Sequence, residues 1–230
     1  LLLFLLLLLR FEPSSAFSQW HVGAGNNGND DEQNNLPLAT IQHAVHRASA
    51  GDVVTLQIGT HTGGSNCVSP DASARRCNYN VDLLGKGLIV EGDSSSSTST
   101  ASSTIVDCGL TDWPTLPTRA FIFQRGESNT TVLRRLTIRR CRALKGVRSD
   151  SCHHDQAWAS LALDRGLFPS LPAHAGGALA VVGNSFPHVH DLIVENCRAG
   201  IGGGIYVGGS GDGLTLHTVH VSSSMSATGG

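Results

Sequence analysis

A doublet of glycines returns at a fixed interval in this chain, and that interval constrains the fold more than any other feature. Gly176-Gly177-Ala178-Leu179 recurs 26 residues later as Gly202-Gly203-Gly204-Ile205, and Gly229-Gly230 follows after a further 27. Between the first two lies Leu192-Ile193-Val194-Glu195-Asn196-Cys197, which has an earlier cousin in Leu136-Thr137-Ile138-Arg139-Arg140-Cys141. A period of this size lies in the range of stacked repeats, and each unit holds about three short strands. Such a unit cannot form its own sandwich. Stacked along an axis, it gives parallel sheets with strands about 4.8 Å apart, with equivalent side chains laddered through a narrow core and glycine at the tight corners.

The rest of the chain reads the same way. Runs at 53–58, 81–84, 88–91, 104–107, 120–124, 132–138, 178–182, 192–195, 205–207 and 214–221 are strand-like, and Gly, Asn, Asp, Ser or Pro punctuates most of them. With 27 glycines and only 5% aromatic residues, the composition suits turns and a core of Leu, Ile, Val and Ala rather than long helices. One segment differs. Leu38, Ile41, Val45 and Ala48 recur at helical spacing, with Thr40 as N-cap and Gly51 as the stop, which predicts a single amphipathic helix over 40–50. The Gly/Asn/Asp-rich stretch 23–35 reads as a loop, and so does the Ser/Thr run 93–104. The interval from Ala120 to Gly176 exceeds one unit, so residues near 142–175 are expected to be an inserted loop. With that insert set aside, Cys141 and Cys197 fall at one register in adjacent units.

Residues 1–9 are all apolar. They are too few for a bilayer span, which needs about 20, and they match the apolar region of a secretory signal peptide. Ala16 and Ser18 place a cut ahead of Gln19. The organisation expected is a signal peptide at 1–18 and one domain over 19–230, with no membrane span. The chain starts at Leu1 without a basic leader region, as an incomplete leader would, and Gly229-Gly230 is expected to open a further unit, leaving a truncated, unpaired sheet end. Export makes disulfides the natural reading of the cysteines, since they persist outside the cytosol. Cys67–Cys77 and Cys141–Cys152 are the favoured short closures, and a ladder of free thiols at Cys141 and Cys197 is the alternative. Asn129-Thr130-Thr131 is an N-glycosylation sequon, which makes Asn129 a candidate modification site.

Two groups of motifs resemble a known superfamily. Thr40-Ile41-Gln42-His43-Ala44-Val45, followed by Gly51-Asp52-Val53-Val54 and Gly59-Thr60-His61, looks like the entry to the pectin-lyase-like β-helices, where a helix covers the open N-terminal end. Lys86-Gly87-Leu88-Ile89-Val90-Glu91-Gly92 and Thr104-Ile105-Val106-Asp107 are similar to the coils that follow. The stretch from Ile193 through Asn196 and Cys197 to Gly202-Gly203-Gly204-Ile205 resembles the repeats of polymorphic outer membrane proteins, with Ile193 in place of Phe and Gly204 in place of Ala. The resemblance covers about Leu36 to Gly230 outside the insert. It implies an all-β fold: a right-handed, single-stranded parallel β-helix with an N-terminal capping helix. That fold hosts lyases, hydrolases, esterases and adhesins, so it does not fix a function.

A net charge of −2 and a pI near 6.6 argue against a general nucleic-acid binder. A pectate lyase needs converging carboxylates for calcium, but Asp191 and Glu195 align one period on with Thr218 and Ser222. The Asp pairs of polygalacturonases are missing after Asp30-Asp31, and so are the Gln-Asp and Gly-Arg-Pro elements of pectinesterases. The run Arg134, Arg135, Arg139, Arg140, Arg142, Lys145 and Arg148 reads in two ways. Arg135, Arg139 and Arg142 are candidates for binding an acidic glycan. Alternatively, the run is the solvated outer face of one unit, with Leu136 and Ile138 inward. Trp158, near His153-His154-Asp155, Asp164 and Arg165, is a candidate sugar-stacking residue in a segment otherwise read as an exposed loop. His190 and His217 are spaced to stack on adjacent units, either as a zinc or copper pair or as a surface ladder. No cofactor is predicted. The function expected is a secreted or cell-surface binding or structural module, adhesin-like, with a polysaccharide or surface protein as partner. The alternative is a carbohydrate-active lyase or hydrolase of the same superfamily whose catalytic coils lie elsewhere.

Overall fold

Short β-branched runs between glycine-rich turns become short strands, and every pairing between the strands is parallel. The computed structural model describes residues 17–25, 37–63, 77–95, 100–109, 118–143, 175–208 and 213–226. In chain order the elements are β1 (Gln19–Val22), α1 (Ile41–Arg47), β2 (Val53–Leu56), β3 (Gly59–Thr62), β4 (Val81–Asp82), β5 (Ile89–Gly92), β6 (Thr104–Asp107), β7 (Phe121–Phe123) and β8 (Val132–Arg139). There follow β9 (Arg142–Ala143), β10 (Leu179–Val181), β11 (His188–Glu195), β12 (Arg198–Ala199), β13 (Ile205–Val207), β14 (Thr215–Ser222) and β15 (Met225–Ser226). The largest sheet runs β1-β2-β5-β8-β11-β14, with β3 and β6 paired beside it. A second sheet runs β13-β10-β7-β4 and a third β15-β12-β9. Parallel neighbours cannot be joined by a hairpin. From β8 onward the chain therefore visits the large, the three-stranded and the four-stranded sheet in turn, then returns to the first beside the strand it left.

The glycine doublets have two separate jobs. Gly176 and Gly202 have φ of +66° and +60°, a left-handed turn that an L side chain resists. Gly177 has an ordinary φ, but a Cβ there would overlap the Gly203 carbonyl of the next unit. The period seen in the sequence is thus the spacing of a corner where two backbones touch.

Other corners use larger residues. Arg135, Asp191 and Thr218 have φ of +56°, +51° and +53° at matching positions of β8, β11 and β14. Arg140, Asn196 and Ser223 repeat this just past the same strands, at +54°, +54° and +48°. Each left-handed residue breaks the in–out alternation. Leu133 and Leu136 are both buried, with Arg134 and Arg135 outside between them. The eight-residue strands are therefore two short strands joined at a bend.

Apolar ladders run through the interior: Val54, Val90, Leu133 and Val189 in one, Val106, Ile138 and Val194 in another. Burying each such side chain contributes about 1.5–3 kcal/mol. The ladders end at β14 and β13, which are edges of their sheets. There Leu216, paired with the 1%-exposed Val189, is 49% exposed, and Val221 and Val207 are similarly open.

α1 is shorter than the helix predicted over 40–50. Its last carbonyls are taken by the Lys86 ammonium, which donates to Val45 O (2.7 Å), His46 O (3.0 Å) and Ala48 O (2.7 Å). Asp52 accepts from Ser49 N at 2.9 Å and holds the chain out of the helix. The Thr40 side chain makes no cap bond, and the N-terminal amide of Ile41 instead donates to the Asn78 side chain at 2.8 Å. Buried Gln42 exchanges hydrogen bonds with both backbone groups of Asp82, tying α1 to β4. No helix among the described residues is long and apolar enough to cross a membrane.

Candidate functional site

The outer side of the large sheet carries most of the polar residues singled out in the sequence. Cross-strand register places Thr55, Glu91, Arg134, His190 and His217 in one row across β2, β5, β8, β11 and β14. A second row holds Asp107, Arg139, Glu195 and Ser222. The alignment of Glu195 with Ser222 matches the sequence reading, so no strip of carboxylates forms along that row.

Four arginines of the run are held by two acids on the preceding strands, which leaves this face with an excess of positive charge. Glu91 accepts from Arg134 Nε at 2.6 Å and pairs with an Arg135 terminal nitrogen at 2.7 Å. Asp107 accepts from Arg139 Nε at 2.8 Å and from Arg140 Nε and Nη2 at 2.8 and 2.7 Å. Burial alone would raise the Asp107 carboxyl, but the hydrogen bonds from Arg140, Gly109 and Arg139 outweigh it and hold the group below its ordinary value. Two of the glycan candidates, Arg135 and Arg139, are thus engaged by the protein's own carboxylates. Arg142, the third, lies in β9, where its backbone bridges Thr118. Trp158 and the histidines beside it in sequence lie outside the described residues.

His190 and His217 are register partners, as their spacing implied. Their Nδ1 atoms are already occupied locally, His190 with Asp191 Oδ2 at 3.0 Å and His217 with Thr218 Oγ1 at 2.9 Å. Among the described residues no group of three or more His, Cys, Asp or Glu side chains is placed to hold a metal ion.

The cysteines correct the sequence reading. Cys141 is bonded to Cys108, not to Cys152, with Cα atoms 4.8 Å apart. Asp107 pairs with Arg139 in register, which brings the residues just beyond each strand together despite a sequence separation of 33. Cys197 stacks one unit on from Cys141 and is free and buried, but Cys141 is held in the disulfide, so the alternative of a ladder of free thiols fails as well. Burial pushes its thiol up to about 12, so it behaves as an apolar core residue. Cys77 is disulfide-bonded; Cys67 and Cys152 lie outside the described residues.

One pocket adjoins this face. It has a volume of about 420 Å³ and is lined by Ser128, Asn129, Phe186, His188, Gly213, Leu214 and Thr215. Asn129, the sequon asparagine, stands in its wall. Sequence reading gave no role to Phe186 or His188. His188 carries one signal, the polar–apolar alternation His188-Val189-His190 ahead of the strand predicted at 192–195, and Phe186 carries none. Glu91 and Asp107 were read only as strand residues, because their arginine partners lie 43 and 32 positions away. No protein-family model, curated protein or solved structure matches this chain.

Proposed function

We propose that this chain is a secreted or cell-surface parallel β-helix of the pectin-lyase-like kind, acting as a rigid binding or structural module with glycans as the favoured ligand class. The cyclic visit to three parallel sheets supports the helical reading, and crossovers between parallel strands of one sheet are right-handed in nearly all proteins. The Cys108–Cys141 disulfide supports export through the leader at 1–18, since such bonds persist outside the cytosol.

The observation that carries the non-catalytic reading is the state of four carboxylates among the described residues. Glu91 and Asp107 each hold two guanidinium groups, Asp82 pairs with Arg125 at 2.9 Å, and Asp52 accepts from Ser18 N, Trp20 Nε1 and Ser49 N. Acids so engaged stiffen a scaffold. They are poorly placed to bind calcium or to exchange protons with a sugar. The test is to incubate the protein with pectin, alginate and sulfated polysaccharides, measuring retention on each polymer and release of uronate. Retention without release supports a binding module. Release of unsaturated or reducing uronate ends would refute it in favour of a polysaccharide lyase or hydrolase.

A further inference from the structure

We propose that Asn129 carries an N-linked glycan whose innermost sugar is seated on Phe186 in the adjoining pocket. The proposal rests on the export reading above and adds to it a modification site and the surface that receives the modification.

Asn129 is exposed, at the second position of a turn closed by a hydrogen bond from Thr131 N to Ser128 O at 3.0 Å. A sugar attached there begins at the wall of the pocket. That pocket presents an aromatic ring, Phe186, with polar Ser128, His188 and Thr215 around it. A pyranose has a C–H face that packs on an aromatic ring and hydroxyls that hydrogen-bond at its edge, so a platform of this kind suits it. Phe186 is 46% exposed, so its ring is accessible to a ligand. Its place is nevertheless fixed. Phe186 N donates to Glu127 O at 2.7 Å, and its ring lies over Gly213, where a Cβ would stand 2.8 Å from Cδ1. Gly213 thus leaves room for the ring.

In the transfer, the Asn129 amide nitrogen bonds to the anomeric carbon of a lipid-pyrophosphate-linked oligosaccharide. The sugar–pyrophosphate bond breaks, the lipid pyrophosphate leaves, and the amide proton passes to a base of the transferase. Thr131 supplies the sequon hydroxyl; in the folded protein it is buried and donates to Lys86 O at 3.4 Å. Transfer therefore precedes closure of this turn, and Asn129→Gln is the clean way to remove the site.

The full chain is produced in a glycosylating eukaryotic host, once with residues 1–18 behind an initiating methionine and once behind a surrogate leader. Retention in the cell of the first form alone would count against the export reading and leave the site intact. Peptide mapping of the chain secreted from the surrogate leader is expected to find Asn129 occupied; an unmodified Asn129 there overturns the proposal. For the seat, N129Q is expected to lower the melting temperature by about 2–4 °C. That difference should vanish in a Phe186→Ala background and persist in Phe186→Trp. An equal difference in all three backgrounds, or none in the parent, overturns the seating of the sugar on Phe186.

Discussion

Replacing Asp107 with asparagine removes the charge of a buried acid that holds two arginines at once. The carboxylate is 1% exposed and accepts four hydrogen bonds, from Arg139 Nε, Arg140 Nε and Nη2, and Gly109 N, all between 2.7 and 2.9 Å. Asparagine keeps one acceptor oxygen and turns a donor toward the guanidinium groups. Breaking a fully buried ion pair costs about 3–5 kcal/mol. Here the two arginine side chains are 33% and 48% exposed and regain water when released, so the expected loss is smaller, about 2–3 kcal/mol. Urea unfolding of parent and D107N at matched pH measures it. The folded carboxyl lies below its ordinary value of 3.8, so its contribution is complete above pH 3.8 and is lost as pH falls through the folded value. The gap between the two proteins should be constant from pH 7 to 5 and should shrink in stronger acid. A gap under about 0.5 kcal/mol at pH 7, or one unchanged by acid, would refute the reasoning.

Three further outcomes follow from buried groups. His61 is fully buried and donates from Nε2 to Gln57 O at 2.9 Å, and burial holds its imidazole below the ordinary 6.5. The unfolded chain therefore binds the extra proton first, and stability falls as pH drops below 6.5, by at most about 1.4 kcal/mol per unit; urea midpoints at pH 7, 6 and 5 should show a slope that His61→Phe flattens. Cys197, with its thiol pushed up to about 12, should resist iodoacetamide at pH 8 until urea unfolds the chain. Alkylation in the native state, located by peptide mapping, would contradict its burial. Gly177→Ala should cost about 3 kcal/mol or more by driving a methyl into the Gly203 carbonyl, while Gly109→Ala, strained in φ but open in space, should cost only about 1–2 kcal/mol in the same unfolding assay.

The parts of this fold that repeat regularly were readable from the sequence. Gly176 and Gly202, His190 and His217, and Glu195 and Ser222 all fall where a constant period puts them, because the final units carry no insertion between equivalent strands, whereas Cys141 and Cys197 come into register only once the residues near 142–175 are set aside. The earlier units are irregular. Glu91 meets Arg134 after 43 residues, whereas Asp107 meets Arg139 after 32, so no single period reaches both. That irregularity hid the Cys108–Cys141 bond, and the nearer Cys152 looked better on loop length alone. The two-residue strands β9, β12 and β15 are too short to carry alternation. β1 was hidden between the leader and a loop-like run, and it is held by pairing with β2 rather than by its own propensity. At the candidate site, the sequence located the arginines and placed Arg135 and Arg139 outward. Their acid partners, and the pocket between Asn129 and Phe186, depend on register between units and could be seen only once the strands were paired.

In-register parallel stacking of successive units is the feature on which the rest depends, and spin labels at positions 190 and 217 test it most directly. These residues are opposite one another on β11 and β14, about 4.8 Å apart at the backbone and on the accessible side of the sheet. Nitroxides introduced by His190→Cys and His217→Cys, with the unsubstituted protein as control, should show strong dipolar broadening in the continuous-wave spectrum. A pair at 188 and 220, further along the strands, should be distinctly weaker. Equal broadening for both pairs, or none at 190 and 217 in protein that still unfolds cooperatively, would contradict the register from which the ladders, the arginine pairing and the proposed scaffold all follow.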